Sequence, residues 1–279
     1  MRPKTILACF LERPSAAVLS DAAADLAARF DAHLTGLHTL EAIVIYPGVA
    51  MYVPAPTFET FSEAQKAEGE AIGAVFDETA RRAGVASEWR MVHAGAASPA
   101  DRLIERARAS DLVVMARPQA SGSASEQRHA FGRVVREGGR PVLLIPPEGL
   151  PRGGIGRKVV IAHAPTREAA RAAFDAVPLL GDGAEVHVVH VGDERDELRD
   201  DAMTDLAGAL SRHGARVTLT HRPRRGRPVA DVLTAEAAEV GADMIVAGAF
   251  GHSRTYDFFL GATTGELLRT AGVPVLFST

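Results

Sequence analysis

Three glycines raise the first chemical question in this chain. Gly248 and Gly251 are separated by two residues, and nine more intervene before Gly261-Ala262-Thr263. Without a Cβ, glycine lets backbone amides come close to a phosphate, and a helix opening just after Gly261 offers N-terminal amides and a dipole that favour an anion. The chemistry suited to this spacing is phosphate or nucleotide binding. A structural use of the same residues also stays open: a tight strand-to-loop turn at Gly248 and Gly251, and a capping box formed by Thr263 with Glu266.

Other side chains add to this picture or fall away. His163 and His252 fall at strand ends facing the same region, where each suits either a phosphate or proton contact or a plain structural role. The run His221-Arg222-Pro223-Arg224-Arg225-Gly226-Arg227 follows another strand, so its arginines share that rim and suit phosphate as well as solvent. Metal binding is not expected: no pair of the ten histidines has His-x3-His spacing, and His187 and His190 point to opposite faces of a strand. Nucleic acid is not expected, since aromatic residues do not interleave the arginines and the lone tryptophan is Trp89. Gly153-Gly154-Ile155-Gly156 precedes a strand, which is the wrong order for a dinucleotide fingerprint. No Walker lysine, nucleophile elbow or spaced carboxylate pair accompanies the glycines.

The elements that must position these residues are short apolar runs alternating with helical patterns. Strands are expected near 5–10, 33–39, 88–93, 111–116 and 141–145, and again near 158–163, 185–191, 216–221, 243–248 and 273–277. The runs are mostly continuous in apolarity, as strands covered by helices on both faces are. Helical stripes run through Val18, Leu19, Ala22, Ala23, Leu26 and Phe30, through Ala170, Phe174 and Val177, and through Val229, Val232, Leu233, Glu236 and Val240. Ser98-Pro99 caps a helix with the stripe Ala100, Leu103, Ile104 and Ala107. Alternation of this kind gives a parallel, doubly wound sheet, whose ligands bind beyond the carboxyl ends of the strands where strand order reverses.

The pattern occurs twice. Lys4-Thr5-Ile6-Leu7 is echoed by Arg157-Lys158-Val159-Val160, Asp111-Leu112-Val113-Val114 by Asp243-Met244-Ile245-Val246, and Pro141-Val142-Leu143-Leu144 by Pro274-Val275-Leu276-Phe277. The first copy carries about 20 extra residues, placed in the apolar, proline-bearing segment 41–62, and a Pro/Gly-rich linker over 146–154 joins the copies. The 279 residues agree with a length prior of about 150 per domain, and a formal charge of -4 gives no general pull toward nucleic acid or anionic lipid. One cysteine, Cys9, excludes an internal disulfide, and no run reaches the length of a membrane span.

Taken together, Gly248-x-x-Gly251-x9-Gly261, strand-final His38 and His190, Gly226-Arg227-Pro228, Ala242-Asp243 and the closing Pro-Val-Leu of each copy resemble the universal stress protein family across the whole chain. The resemblance implies a cytoplasmic stress-response protein, often dimeric, that binds ATP or AMP at the switch point between its first and fourth strands. A tandem member packs its copies as an intrachain pseudo-dimer. This chain departs from the family at three places: Ala262 stands where Ser or Thr is usual, Phe10 and His163 occupy the strand end usually marked by Asp, and Ala116-Arg117-Pro118-Gln119 replaces the first copy's glycines. Pro118 has no amide to donate, and Arg128 falls on the position of Gly261.

The resulting expectation is an α/β protein of two tandem five-stranded parallel doubly wound domains, adenine-nucleotide alpha-hydrolase-like, docked through their last strands as a pseudo-dimer. Domain 1 spans 1–147 and is degenerate; domain 2 spans 155–279 and keeps part of the motif. A non-catalytic adenine-nucleotide site is expected in domain 2, with the base near Ala162, His163 and Val191. Ribose and phosphates are expected near Gly248, Gly251, His252, Ser253, Arg254, Gly261, Ala262 and Thr263. Expected partners are ATP or AMP and an unidentified protein, with no nucleic acid, membrane or metal, and a homodimer beyond the pseudo-dimer stays open. The alternative is an interaction scaffold without nucleotide in either half.

Overall fold

The apolar runs become strands because helices cover both of their faces. In the computed structural model, which describes residues 2–41, 55–118, 124–193, 197–251 and 261–279, the first half runs β1 (Thr5–Phe10), α1 (Ala16–Phe30), β2 (His33–Leu40), α2 (Ala55–Ala83), β3 (Ser87–His93), α3 (Pro99–Ala107), β4 (Leu112–Ala116), α4 (Ala124–Glu137) and β5 (Val142–Ile145). The second half runs β6 (Lys158–His163), α5 (Arg167–Ala176), β7 (Glu185–Val191), α6 (Glu197–Arg212), β8 (Arg216–Arg222), α7 (Val229–Val240), β9 (Met244–Gly248), α8 (Ala262–Thr270) and β10 (Val275–Ser278).

Each half has its strands in the order 3-2-1-4-5, and the two meet where β5 pairs antiparallel with β10. The expected pair of five-stranded parallel sheets docked through their last strands is thus a single ten-stranded sheet, ordered β3-β2-β1-β4-β5-β10-β9-β6-β7-β8. Alternate residues of each strand feed two cores. Val159 and Ile161 face α1, α2, α5 and α6, while Val160 faces α3, α4, α7 and α8.

At the amino ends of the strands, matching aspartates brace the halves. The Asp111 carboxylate accepts from the amides of Lys4 and Thr5, and the Asp243 carboxylate accepts from those of Gly156, Arg157 and Lys158. The aspartate before the fourth strand of each half is therefore a clamp on the first strand, at the end opposite the glycine loop. The paired histidines are clamps too: the Nδ1–H of His38 donates to the Phe10 carbonyl at 2.9 Å, and that of His190 to the His163 carbonyl at 3.2 Å.

Two sequence expectations need correction. The stripe Ala170, Phe174 and Val177 is not the buried face of α5; Ala169, Ala172, Ala173 and Ala176 are, and Phe174 is 46% exposed with its ring against His213. Small residues face the sheet there because α5 packs close to it. The extra length of the first copy is partly helix, α2 having 29 residues against 16 in α6, while residues 42–54 lie outside the described residues.

Candidate functional site

The crevice at the switch point opens because two strands part. Pairing of β6 with β9 stops at Ile161↔Val246, whereas pairing of β6 with β7 continues to His163↔His190. Beyond the parting lies a cleft of about 660 Å3, lined by the strand ends Ala162, His163, Val191 and Gly192, by Gly248, Phe250 and Gly251 after β9, and by Gly261 to Thr264 at the start of α8. Of the residues expected from the sequence, Ala162, His163, Val191, Gly248, Gly251, Gly261, Ala262 and Thr263 come together on this cleft. His252, Ser253 and Arg254 lie outside the described residues.

The glycines are there for close approach, not for left-handed backbone, since none of the three has positive φ. A Cβ on Gly248 would sit 2.5 Å from the Ala169 amide nitrogen, so this glycine admits the first turn of α5. On Gly251 it would meet Thr166 Oγ1 and Glu168 Oε2 at 3.1 Å, and on Gly261 only Thr264 Oγ1 at 3.9 Å. Of the three, Gly261 alone has no described residue closer than 3.9 Å to such a Cβ. The left-handed residue of the loop is Phe250, at φ 66°, a strained conformation for an aromatic side chain.

Helix α8 starts at Ala262 with Gly261 as its N-cap, and among the described residues no side chain caps it. The expected box of Thr263 with Glu266 is absent because the helix starts two residues earlier, with Gly261 and not Thr263 at the N-cap, which puts Thr263 inside its first turn. Its leading amides are left for solvent or an anion.

The charges are unevenly placed. Glu168 is buried beside Gly251; burial raises its pKa, yet hydrogen bonds from Arg167, its own amide and Thr166 outweigh this and hold the carboxyl below its ordinary value. Glu266 also lines the cleft. Arg224 and Gly226 form the opposite rim, beyond the ends of β7 and β8, and Val189, Val229 and Leu233 give the middle an apolar wall. This composition suits a flat apolar ring with an anion at the α8 amides, held clear of Glu168. Sequence reading did not single out Phe250, which lines the cleft, or Glu168, which packs beside Gly251. Thr166 carried a legible signal as the N-cap of α5, where its hydroxyl accepts from the Ala169 amide.

The corresponding place in the first half is built differently. There β1 and β4 stay paired through Cys9↔Met115, one step further than their counterparts Ala162 and Ala247. Phe10, at the position of His163, packs edge-on against Phe76 and Trp89. Glu12 and Gln127, both buried, are joined at 2.7 Å, and α4 begins at Ala124, so Arg128 already lies within the helix. Arg117 turns away to donate to the Ala271 carbonyl of the other half. Among the described residues no group of three or more His, Cys, Asp or Glu is placed to hold a metal, and no helix is long and apolar enough to cross a membrane.

Several known proteins share this architecture. The chain is similar over 98% of its length to a universal stress protein from Archaeoglobus fulgidus DSM 4304 (16% identity, 96% of that chain, TM-score 0.75). It is similar over 99% of its length to a putative universal stress protein from Pseudomonas aeruginosa UCBPP-PA14 (14% identity, 93% of that chain, TM-score 0.58). Half of it also matches a universal stress protein solved in complex with cAMP (21% identity, 53% of this chain and 99% of that chain, TM-score 0.37). No curated protein matches. Residues 3–142 and 156–278 each match the model of the Universal stress protein family, so that with the repeated 3-2-1-4-5 sheet the chain belongs to that family, as a tandem two-copy member.

Proposed function

We propose that the chain is a stress-response regulator that binds an adenine nucleotide, ATP or AMP, in its second half and does not turn it over. The observation that carries this reading is the cleft opened by the early parting of β6 from β9, with the uncapped start of α8 on one wall. The base lies near Ala162, His163 and Val191, and the ribose and phosphates near Gly248, Gly251, Gly261, Ala262 and Thr263, with His252, Ser253 and Arg254 on the same loop. Retention of Cys9↔Met115 pairing and the Glu12–Gln127 contact support an unoccupied first half. We assign the two domains to residues 1–147 and 155–279 and the setting to the cytoplasm. The absence from the sequence of a lysine after the glycines supports binding without phosphoryl transfer.

Calorimetry with ATP, ADP and AMP, together with mass spectrometry of ligand released from fresh protein, tests the proposal. Among the described residues a Cβ on Gly261 meets nothing closer than Thr264 Oγ1 at 3.9 Å, so Gly261→Val on the cleft wall is expected to abolish binding without lowering the melting temperature. No heat at millimolar nucleotide, and none carried through purification, sinks the nucleotide reading. A second reading, an interaction scaffold without nucleotide, is favoured by Ala262 and by the Glu168 carboxylate beside Gly251. It predicts that outcome.

A further inference from the structure

The loop between β8 and α7 lines the cleft opposite the glycines through Arg224 and Gly226, with Arg225 and Arg227 exposed beside them, and its charge sets it apart from its sister loop. The left-handed residue of the first-half loop is Gly95, at φ 63°, in the sequence Ala94-Gly95-Ala96-Ala97. At the matching place the second half has Arg224-Arg225-Gly226-Arg227, with both Arg225 and Gly226 left-handed, at φ 48° and 74°. An arginine there carries backbone strain that glycine avoids, and strain of this kind is retained where the side chain is needed. The turn is fixed by its own bonds: Arg227 N–H donates to the Arg224 carbonyl, Arg224 Nε to the Arg227 carbonyl, and Arg225 N–H to Asp193. Arg222 next door is neutralised by Glu236 and Glu239, whereas Arg224, Arg225 and Arg227 form no ion pair among the described residues. The facing carboxylate, Asp193, is engaged with a backbone amide.

From the glycine loop after β9 to this rim, the sheet order β9-β6-β7-β8 interposes three strand spacings, or about 14 Å. Three strand spacings exceed the width of one phosphate, and the arginine rim and the α8 amides stand on different walls of the cleft. We propose, resting on the nucleotide reading above, that the cleft takes a ligand with phosphate at both ends, a phosphorylated dinucleotide, whose second phosphate is held by Arg224, Arg225 and Arg227. Arginine suits this task because its planar fork matches phosphate oxygens.

The test compares AMP with the adenylyl dinucleotide phosphorylated at both its 5′ and 3′ ends, by calorimetry at about 0.15 M salt, where charges further apart than about 8 Å are largely screened. The bisphosphorylated dinucleotide is expected to bind at least about tenfold tighter than AMP, since hydrogen bonds to charged groups are the stronger class. The combined Arg224→Gln, Arg225→Gln and Arg227→Gln variant is expected to lose that gain while its AMP affinity stays within about twofold of wild type. Arg225→Gly, which restores the residue of the sister loop, should weaken dinucleotide binding without lowering the melting temperature, a readout that a merely structural arginine would not give. Equal affinity for the two ligands, or a gain that survives the triple variant, overturns the inference and leaves the mononucleotide reading standing. A triple variant that loses AMP binding equally overturns it as well, because the arginines then serve the first phosphate. Wild-type protein that binds neither ligand overturns both readings.

Discussion

At the scale of single residues, the two motif glycines beside α5 do different work from Gly261. Gly248 is filled from behind by the backbone of Glu168 and Ala169, so Gly248→Ala forces the start of α5 off the sheet. Overpacking of this sort costs about 1–3 kcal/mol, and the expected result is a clear drop in the denaturation midpoint with or without ligand. An unchanged midpoint would mean that α5 yields freely. Cys9 supplies a second residue-level prediction. Complete burial pushes its thiol up to about 12, and only the thiolate reacts. Native protein should therefore resist thiol reagents at pH 8 and react once unfolded, whereas rapid native labelling would contradict the burial.

At the scale of elements, the contrast between helix starts is informative. Helix α3 is closed by a full capping box in which Ser98 accepts from the Asp101 amide and the Asp101 carboxylate accepts from Ser98. Those bonds, backbone first, then the Ser98 hydroxyl and Arg133, lower the Asp101 pKa to about 2. Because the folded value is depressed below an ordinary carboxylate of about 3.9, its stabilisation is present above pH 4 and is lost as pH falls toward 2. An Asp101→Asn variant should be less stable than wild type at pH 6, with the gap narrowing between pH 4 and pH 2. Ser98→Ala should cost about 1 kcal/mol in chemical denaturation. Helix α8 has no such cap to lose, so the same measurement on Thr263→Ala is expected to show little change in stability.

At the scale of the whole molecule, the halves are held by one antiparallel strand pair and by arginines crossing between them. Arg29 donates to the carbonyls of Ile155 and Leu179, and Arg117 to that of Ala271. Removal of a partly buried charged donor leaves those carbonyls unpaired, at about 1.5–3 kcal/mol for each bond, and Arg117→Ala should lower stability without touching the second-half cleft. Residues 155–279 expressed alone would leave β10 as an uncovered apolar edge, Val275 to Phe277 being wholly buried in the full chain. That fragment should elute as a dimer paired through β10; a monomer would show that the edge needs no partner.

Much of this was legible in the residue order, for local reasons. Strand runs, the stripes of α1 and α3, the Ser98 cap and the tandem repeat follow from hydrophobic periodicity and turn chemistry acting over a few residues. The gathering of Ala162, Val191, Gly248 and Gly261 on one rim follows from the rule for parallel sheets. Tertiary structure alone decided the rest, because it turns on contacts between residues far apart in the chain. The face of α5 is set by how closely Gly248 lets it approach, so Phe174 lies outside. The parting of β6 from β9 one step before its first-half counterpart, the buried Glu12–Gln127 contact of the first half, and the place of Glu168 beside Gly251 depend on packing that no local pattern records. The sequence by itself determined the two-copy sheet, the rim on which a ligand would sit and the copy that keeps the glycines; long-range packing decided how far the strands around that rim stay paired and where the charges of the cleft stand.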